Sequence, residues 1–219
     1  MKEIVIFGTG DIAQIANYYF DIDSIEKVAA FTVNEDYYKE ATFEGLPVVK
    51  FEEILDLYPP SKFKIFIALS YTKLNKIREE KYMEAKSLGY EFASYISSRC
   101  SNMTQFDIGE NCFIFEDNTI QPFVKIGNNV TLWSGNHIGH HSTIDDHNFI
   151  SSHVVISGHC HVKSNCFMGV NATVHNNVII EAGCLIGAAA IITKSTISKG
   201  VYLPAKSNLI EKRSDELNF

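Results

Sequence analysis

From Ile108 onward, an aliphatic residue or methionine returns every six positions without a slip. The series has fifteen members: Ile108, Ile114, Ile120, Ile126, Leu132, Ile138, Ile144, Ile150, Ile156, Val162, Met168, Val174, Ile180, Ile186 and Ile192. A period of six matches neither the 3.6-residue repeat of a helix nor the two-residue repeat of a strand, but it is typical of a parallel β-helix built from hexapeptide repeats. Three hexads complete one triangular coil. The pattern therefore predicts a prism of five coils, about 24 Å tall at one strand spacing per coil.

The other positions of the hexad support this prism. If the aliphatic residue is the first slot, the fifth slot is mostly small or β-branched, as a second inward position requires: Cys112, Val124, Val130, Ser142, Val154, Cys160, Cys166, Ala172, Val178, Cys184 and Ala190. The fourth slot holds residues that tolerate the left-handed backbone of a sharp corner, namely Asn111, Asp117, Asn129, Gly135, Asn165, Asn171, Asn177 and Gly183. We interpret the four histidines of this slot in the same way: His141, His147, His153 and His159. Because one coil takes eighteen residues, His141 and His159 are expected to stack on one edge.

The first 97 residues have a different pattern, which predicts a small parallel α/β domain. An apolar run over Lys2–Phe7 is followed by a Gly-x-Gly-x-x-Ala turn beginning at Gly8 and by a helical segment to about Phe20. Such a turn can present backbone N–H groups at a helix N-terminus to a phosphate. The pattern also predicts strands at Val28–Val33, Gly45–Val49, Lys64–Ser70 and Glu91–Ile96, and helices at Phe51–Leu57 and Thr72–Leu88. We therefore predict a Rossmann-like domain over residues 1–97 and a β-helix with a polar tail over residues 98–219.

The composition narrows the classes of function. The 219-residue chain carries a net charge of −7, which argues against a nucleic-acid surface. The N-terminus starts directly with a strand-like run, and no apolar stretch approaches the roughly 18 residues of a membrane span, so we expect a cytoplasmic protein. Four of the five cysteines fall in the inward fifth slot without a paired metal spacing, which indicates core packing.

Several short segments of the repeat region resemble those of a known family. They are Ile138-Gly139-His140, Asn165–Asn171, Ile186-Gly187-Ala188 and Pro204-Ala205-Lys206. With the α/β domain before them, they are similar to bacterial hexapeptide-repeat sugar acyltransferases, which have a left-handed β-helix. That family includes enzymes that N-acetylate nucleotide-linked 4-amino-4,6-dideoxy sugars, as in bacillosamine synthesis, and relatives named for sialic acid O-acetylation.

The resemblance implies an N-acetyltransferase of surface glycan synthesis, with acetyl-CoA as co-substrate, a nucleotide-linked amino sugar as acceptor and no metal. It also implies a homotrimer in which acyl-CoA lies in the groove between two prisms and the active site lies between subunits. His140 is the implied general base. The implied acyl-CoA positions are Gly158, Val170, Ala188 and Phe149, and the implied sugar-nucleotide positions are Gly8, Gly10, Asp11, Asn34 and Ser70.

The chain departs from the family pattern at the base. Relatives often place a carboxylate directly after the catalytic histidine, where it raises basicity, but His141 stands there in this chain. A second family histidine, nine residues further on, is Phe149 here. The group that orients His140 therefore stays open between His141, Asp145, Asp146 and a residue of a neighbouring subunit. The nucleotide turn is also one residue shorter than in the family, which leaves UDP, dTDP and GDP open.

Other functions share parts of this pattern. A sugar O-acetyltransferase of the sialic acid type and a non-catalytic nucleotide-binding scaffold are both compatible with the two domains. The γ-type carbonic anhydrases use the same prism and bind zinc with three histidines, two of which are five residues apart. No two histidines of this chain have that spacing. His141 and His159 would provide two ligands on one edge, but the third ligand stays unidentified. A dehydrogenase is disfavoured because the N-terminal domain is only half of a dinucleotide fold. The remaining histidines, His137, His161 and His175, are expected to face outward.

Overall fold

The N-terminal region forms a five-stranded sheet in the computed structural model, which describes residues 2–209, 211 and 213–216. Its elements in chain order are β1 (Glu3–Phe7), α1 (Asp11–Asp23), β2 (Val28–Val33), β3 (Thr42–Phe43), β4 (Leu46–Lys50), α2 (Ile54–Leu57), β5 (Phe63–Ile67) and α3 (Lys76–Ser87). The strand order is β3-β4-β2-β1-β5, and every pair is parallel except β3 with β4. Apolar side chains are buried on both faces of the sheet, as expected where helices cover parallel strands.

Two helices are shorter than predicted. The helix expected over Thr72–Leu88 begins only at Lys76, because the three residues before it are left-handed, with φ between 51° and 66°. The helix expected over Phe51–Leu57 is a 3-10 turn followed by the single turn of α2. No helix in the described part of the chain is both long and apolar enough to cross a membrane.

The strand predicted to close the α/β sheet belongs mostly to the prism. Within Glu91–Ile96, only Phe92 bridges to the sheet, through Ile65. The two-residue strand β6 (Tyr95–Ile96) pairs instead with the prism strand β8 (Phe113–Ile114). The chain therefore changes sheets at residue 95, slightly before the predicted boundary at 97.

The prism consists of two-residue strands on three faces, and each strand except the last pairs in parallel with the strand eighteen residues away. The face that carries the N-terminal domain, here called the docked face, contains β6, β8, β11 (Thr131–Leu132), β14 (Phe149–Ile150), β17 (Phe167–Met168), β20 (Leu185–Ile186) and β22 (Val201–Tyr202). The open face contains β7 (Ser101–Asn102), β9 (Thr119–Ile120), β12 (His137–Ile138), β15 (Val155–Ile156), β18 (Thr173–Val174) and β21 (Ile191–Ile192). The charged face contains β10 (Lys125–Ile126), β13 (Thr143–Ile144), β16 (His161–Val162) and β19 (Ile179–Ile180). Of the predicted tail, residues 210, 212 and 217–219 lie outside the described residues.

The interior and the corners follow the predicted slots. First-slot side chains from Ile114 to Ile192 are at most 5% exposed, and the four fifth-slot cysteines are buried in the same core. Every fourth-slot residue from Asn111 to Ala189 has a positive φ, including the four histidines. The corner interpretation of those histidines is therefore confirmed.

A buried arginine of α3 joins the two domains. Arg78 is 1% exposed, and its guanidinium donates to Thr131 Oγ1 at 2.7 Å, to the carbonyl of Asn148 at 3.2 Å and to Asn75 Oδ1 at 2.9 Å. Asn75 in turn donates to the carbonyl of Cys166 at 3.0 Å. Burial lowers the pKa of Arg78 to about 10, so the group stays charged near neutral pH. These bonds fix the start of α3 on the docked face.

Two neighbouring isoleucines test the division between the interior and the surface of the prism. Ile180 is fully buried, whereas Ile179 on the charged face is 39% exposed. We expect Ile180→Ala to lower the free energy of unfolding by about 2–5 kcal/mol, because it leaves a cavity between coils. Ile179→Ala should cost roughly 1 kcal/mol or less. Urea denaturation checks both variants, and equal losses would contradict the assigned orientation of the strand.

His147 should make stability depend on pH. Its Nδ1 accepts from the Asn129 amide at 2.9 Å, and burial lowers its pKa although Glu79 and Asp146 act in the opposite direction. Below about pH 6.5 the unfolded chain then binds a proton that the folded chain does not, so stability falls by up to about 1.4 kcal/mol per pH unit. His147→Asn, which suits the positive φ of this corner, should reduce that slope. Urea denaturation between pH 7.5 and 5.5 measures it, and identical slopes for both proteins would show that His147 is not responsible.

Candidate active site

His140 lies on the corner between the open face and the charged face, and stacking of coils fixes its position. Its backbone N–H donates to Gln121 Oε1 of the preceding coil at 2.8 Å. Its ring covers Gly158 of the following coil so closely that a Cβ placed on Gly158 would lie 2.7 Å from Cε1 and 2.8 Å from Nε2. The absence of a side chain at Gly158 therefore gives the ring its place.

Two further histidines surround His140 on this corner, here called the histidine edge. The Nδ1 atoms of His140 and His141 are 3.1 Å apart, and the ring of His159 lies 5.1 Å from that of His140. His141 and His159 stack at 4.8 Å with 14° between their planes, as predicted from the eighteen-residue coil. Phe123 packs on His141 from the preceding coil at 4.5 Å.

The surroundings of His141 favour its neutral form. Desolvation, and then the nearby His159 and His140, lower the pKa of His141. A neutral His141 can accept a hydrogen bond at Nδ1 from Nδ1–H of His140. In that tautomer the lone pair of His140 is on Nε2, which is the arrangement a general base needs.

The two carboxylates considered as partners of His140 are engaged elsewhere. Asp145 Oδ2 lies 2.9 Å from Nε2 of His161 on the charged face. Asp146 Oδ1 accepts from the backbone N–H of Asn128 at 2.6 Å. Among the candidates of this chain, His141 is the side chain whose nitrogen lies within hydrogen-bond distance of the His140 ring.

The predicted acyl-CoA positions are distributed over three places. Gly158 lies under His140, but Val170 and Ala188 lie on the edge between the docked face and the open face, here called the Val170 edge. Val170 is 44% exposed there. Phe149 is buried on the docked face, where Tyr71 packs against it at 5.0 Å. Phe149 is thus a contact between the domains and does not line a site with His140 in this chain.

Four of the five predicted nucleotide positions line one cavity of the N-terminal domain. Its walls include Gly8, Gly10, Asp11 and Ser70, together with Thr72 near the start of α3. Gly8 has a φ of +123°, and a Cβ there would approach the Ala68 carbonyl at 3.0 Å, so this turn requires glycine. Gly10 precedes the first turn of α1, whose free N–H groups favour an anion.

The fifth position, Asn34, does not line this cavity, and two residues that the sequence analysis missed, Tyr37 and Lys39, line a neighbouring one. Asn34 follows β2, and its amide donates to Glu52 Oε1 at 2.9 Å. A neighbouring cavity is lined by Thr9, Gly10, Tyr37 and Lys39 among others. Lys39 brings a cationic side chain to the Gly-rich turn. The sequence shows a lysine shortly after the end of β2, but it does not show the loop conformation that brings this lysine back to the Gly-rich turn.

Comparison with known proteins places the fold. Residues 107–140 and 123–158 match the model of the bacterial transferase hexapeptide (six repeats). The acetyltransferase domain of PglB from Neisseria gonorrhoeae FA1090 is 17% identical with a TM-score of 0.81, over 93% of this chain and 97% of that one. PerB from Caulobacter crescentus, solved in complex with CoA and GDP-perosamine, is 20% identical with a TM-score of 0.81, over 93% and 95%. WeeI from Acinetobacter baumannii AYE is 18% identical with a TM-score of 0.77, over 92% and 96%. A search of curated proteins found no match.

These matches confirm the predicted fold class, a Rossmann-like α/β domain followed by a left-handed β-helix of hexapeptide repeats. The structures with this fold that are named above include acetyltransferases. At 17–20% identity the likeness concerns the fold.

Gly158→Ala tests how the histidine edge positions His140. The added methyl would overlap the exposed end of the His140 side chain, so we expect the ring to move and the 3.1 Å contact with His141 to be lost. The fold should persist because a flexible side chain, and not backbone, has to give way. A crystal structure and a thermal denaturation curve of the variant check both expectations. An unmoved ring would mean that Gly158 does not determine its position.

Proposed function

We propose that this protein is an acetyl-CoA-dependent N-acetyltransferase that acts on a nucleotide-linked amino-deoxy sugar of the 4-amino-4,6-dideoxyhexose type. The observation that carries this proposal is the exposed His140, whose Nδ1 lies 3.1 Å from Nδ1 of His141. The complexes of the fold neighbours support the choice of substrates, because PerB was solved with CoA and GDP-perosamine and the PglB domain with acetyl coenzyme A.

His140 supplies the proton acceptor of the reaction. The sugar amine attacks the thioester carbonyl of acetyl-CoA, a C–N bond forms, and Nε2 of His140 takes a proton from the attacking nitrogen. The C–S bond then breaks and the CoA sulfur leaves with its electron pair, to be protonated from the imidazolium. General-base help of this kind contributes about 10²- to 10⁴-fold. No covalent acyl-enzyme intermediate is required, because the amine and the thioester react directly once they are aligned.

His141 orients the base in place of the carboxylate that relatives often have. As a neutral acceptor it holds the tautomer of His140 but stabilises the imidazolium less than a carboxylate would. Alignment of the two substrates must therefore supply the part of the rate enhancement that the base does not provide. The nucleotide end of the acceptor is assigned to the cavity at Gly8, Gly10, Asp11 and Ser70, with Lys39 beside it.

A second copy of the chain completes the site. His140 with Gly158 and Val170 with Ala188 lie on the two opposite edges of the open face, so one prism alone does not bring them together. Rotation about an axis parallel to the prism brings the Val170 edge of one copy to the histidine edge of the next. The outward side chains of the open face include Val155 and the 67% exposed Ile191, which such an interface would cover. Closed cyclic symmetry with three copies gives the homotrimer.

Two other functions stay as outcomes of the test. A sugar O-acetyltransferase would use the same base on a hydroxyl group, and a nucleotide-binding scaffold would bind the nucleotide without transfer. Synthesis of a surface polysaccharide is the proposed context, since amino-deoxy sugars of this type are building blocks of such glycans.

The decisive experiment measures release of free CoA thiol from acetyl-CoA with UDP-, dTDP- and GDP-linked 4-amino-4,6-dideoxy sugars and CMP-sialic acid. We expect turnover with one amino sugar and a loss of about 10²- to 10⁴-fold in His140→Ala, because the proton acceptor is gone. Sedimentation should show the same assembly for both proteins.

His161→Ala is the matched control, because it also removes an imidazole from the prism, but one that pairs with Asp145 on the charged face and not with His140. It should keep the wild-type rate. Full activity of His140→Ala would overturn the assignment of the base. Turnover with CMP-sialic acid alone would favour the O-acetyltransferase, and nucleotide binding without any thiol release would favour the scaffold.

A further inference from the structure

The histidine edge brings three imidazoles together within a single chain. The nitrogen donors of His140, His141 and His159 all lie within 4.8 Å of one another, and all three side chains are exposed. Among residues 2–209, 211 and 213–216, this is the one such group of three or more histidine, cysteine or acidic side chains. The third imidazole, which sequence spacing could not identify, is therefore His140.

We propose that His140, His141 and His159 bind one borderline divalent cation, such as Zn²⁺, and that its binding inactivates the general base. The inactivation rests on the proposed function, whereas the binding site does not. Three imidazoles with no carboxylate suit Zn²⁺, Ni²⁺ or Cu²⁺ and disfavour Mg²⁺ and Ca²⁺, which prefer oxygen ligands.

The distances fit a cation after a small movement. A tetrahedral zinc ion with Zn–N bonds of about 2.0–2.1 Å places its ligand nitrogens roughly 3.4 Å apart. The Nδ1 atoms of His140 and His141 are already 3.1 Å apart. His159 stacks in parallel on His141, so its ring must turn and its nitrogen must approach by roughly 1–1.5 Å to reach the same ion. His159 is exposed, and exposed side chains change rotamer rapidly, so its ring is free to turn towards an ion. The fourth coordination position is left for water.

The other two corner histidines, His147 and His153, lie on other edges of the prism. Three corners complete each coil, so His147 and His153 fall on the two remaining edges and cannot reach the group within the same chain. His147 is buried against Asn129, and the ring of His153 covers Gly135. Only a repeat after eighteen residues places His159 on the corner of His141.

Cation binding at Nδ1 would disable the proposed base directly. The neutral imidazole of His140 carries one proton, and a cation on Nδ1 forces that proton to Nε2. Nε2 then has no free lone pair with which to accept a proton from the amine. A chelator that removes the cation restores the original tautomer, so the inactivation is reversible.

Direct metal binding by the full-length protein tests the site. After chelator treatment, zinc chloride is titrated by calorimetry, and Co²⁺ is used as a spectroscopic probe of tetrahedral coordination. We expect one ion per chain in the wild type and an affinity lower by roughly tenfold or more in His159→Asn. Loss of a residue that only hydrogen-bonds to a metal ligand already lowers metal affinity by about tenfold or more, and loss of the ligand itself should lower it at least as much.

His147→Asn is the matched control, because His147 lies on the corner between the docked face and the charged face, which the proposed trimer does not bring to the histidine edge. Both variants place asparagine, the commonest residue of the fourth slot, at a corner with a φ of 59–64°, so neither strains the backbone. At pH 7.5, His147→Asn should bind Zn²⁺ like the wild type. Equal affinities of the wild type and His159→Asn, or less than one ion per wild-type chain at about 100 μM Zn²⁺, would overturn the site.

The effect on catalysis is a separate measurement. Zn²⁺ at saturation should suppress acetyl transfer by the wild type, excess EDTA should restore it, and His159→Asn should need roughly tenfold more Zn²⁺ for the same fractional loss relative to its own metal-free rate. Zinc binding at this edge without suppression would overturn the inactivation while leaving the site in place. Failure of the proposed function would appear differently, as the absence of metal-free transfer.

Discussion

Parallel stacking of coils at an interval of eighteen residues is the constraint on which the rest of the structure depends. Each strand of the prism pairs with the equivalent strand of the next coil, so the backbone ladder decides which side chains are superimposed. Gly158 lies over His140, and His159 lies over His141, for this reason alone. A shift of one residue would take the first-slot side chains out of the core and would dissolve the histidine edge with them.

The junction between the domains gives the proposed acceptor site its rigidity. The left-handed segment before α3 contributes to the nucleotide cavity through Thr72, and Asn75 and Arg78 anchor its far end on the docked face. A buried guanidinium is costly unless its donors are paired, and here Thr131 Oγ1 and the carbonyls of His147 and Asn148 accept from its two terminal nitrogens, whereas the buried Nε has no partner among the residues that the structure describes. The proposed nucleotide cavity is thereby held at a fixed distance from the prism that carries the proposed base.

The contact of His140 with a second histidine links the proposed catalysis and the proposed metal binding physically. A carboxylate in the position of His141 would raise the basicity of His140, whereas an imidazole holds the tautomer without adding charge. Histidine in place of the carboxylate also gives the histidine edge a second imidazole nitrogen donor, and the eighteen-residue repeat adds a third, that of His159. A single local arrangement thus accounts for a weaker electrostatic partner and for the proposed sensitivity to borderline cations.

The sequence by itself determined the prism and its slots, because a six-residue period repeated fifteen times is typical of one architecture, and its resemblance to a known family singled out His140 as the proposed base. It also located the glycine turn of the proposed nucleotide cavity, where Gly8 has a positive φ. The tertiary structure alone decided that Asp145 and Asp146 are engaged elsewhere, that Phe149 packs under Tyr71, and that His140 is the third imidazole beside His141 and His159. Spacing along the chain fixes which edge a residue occupies, but the direction of a side chain depends on neighbours one coil away and in the other domain, and those contacts exist only in the folded molecule.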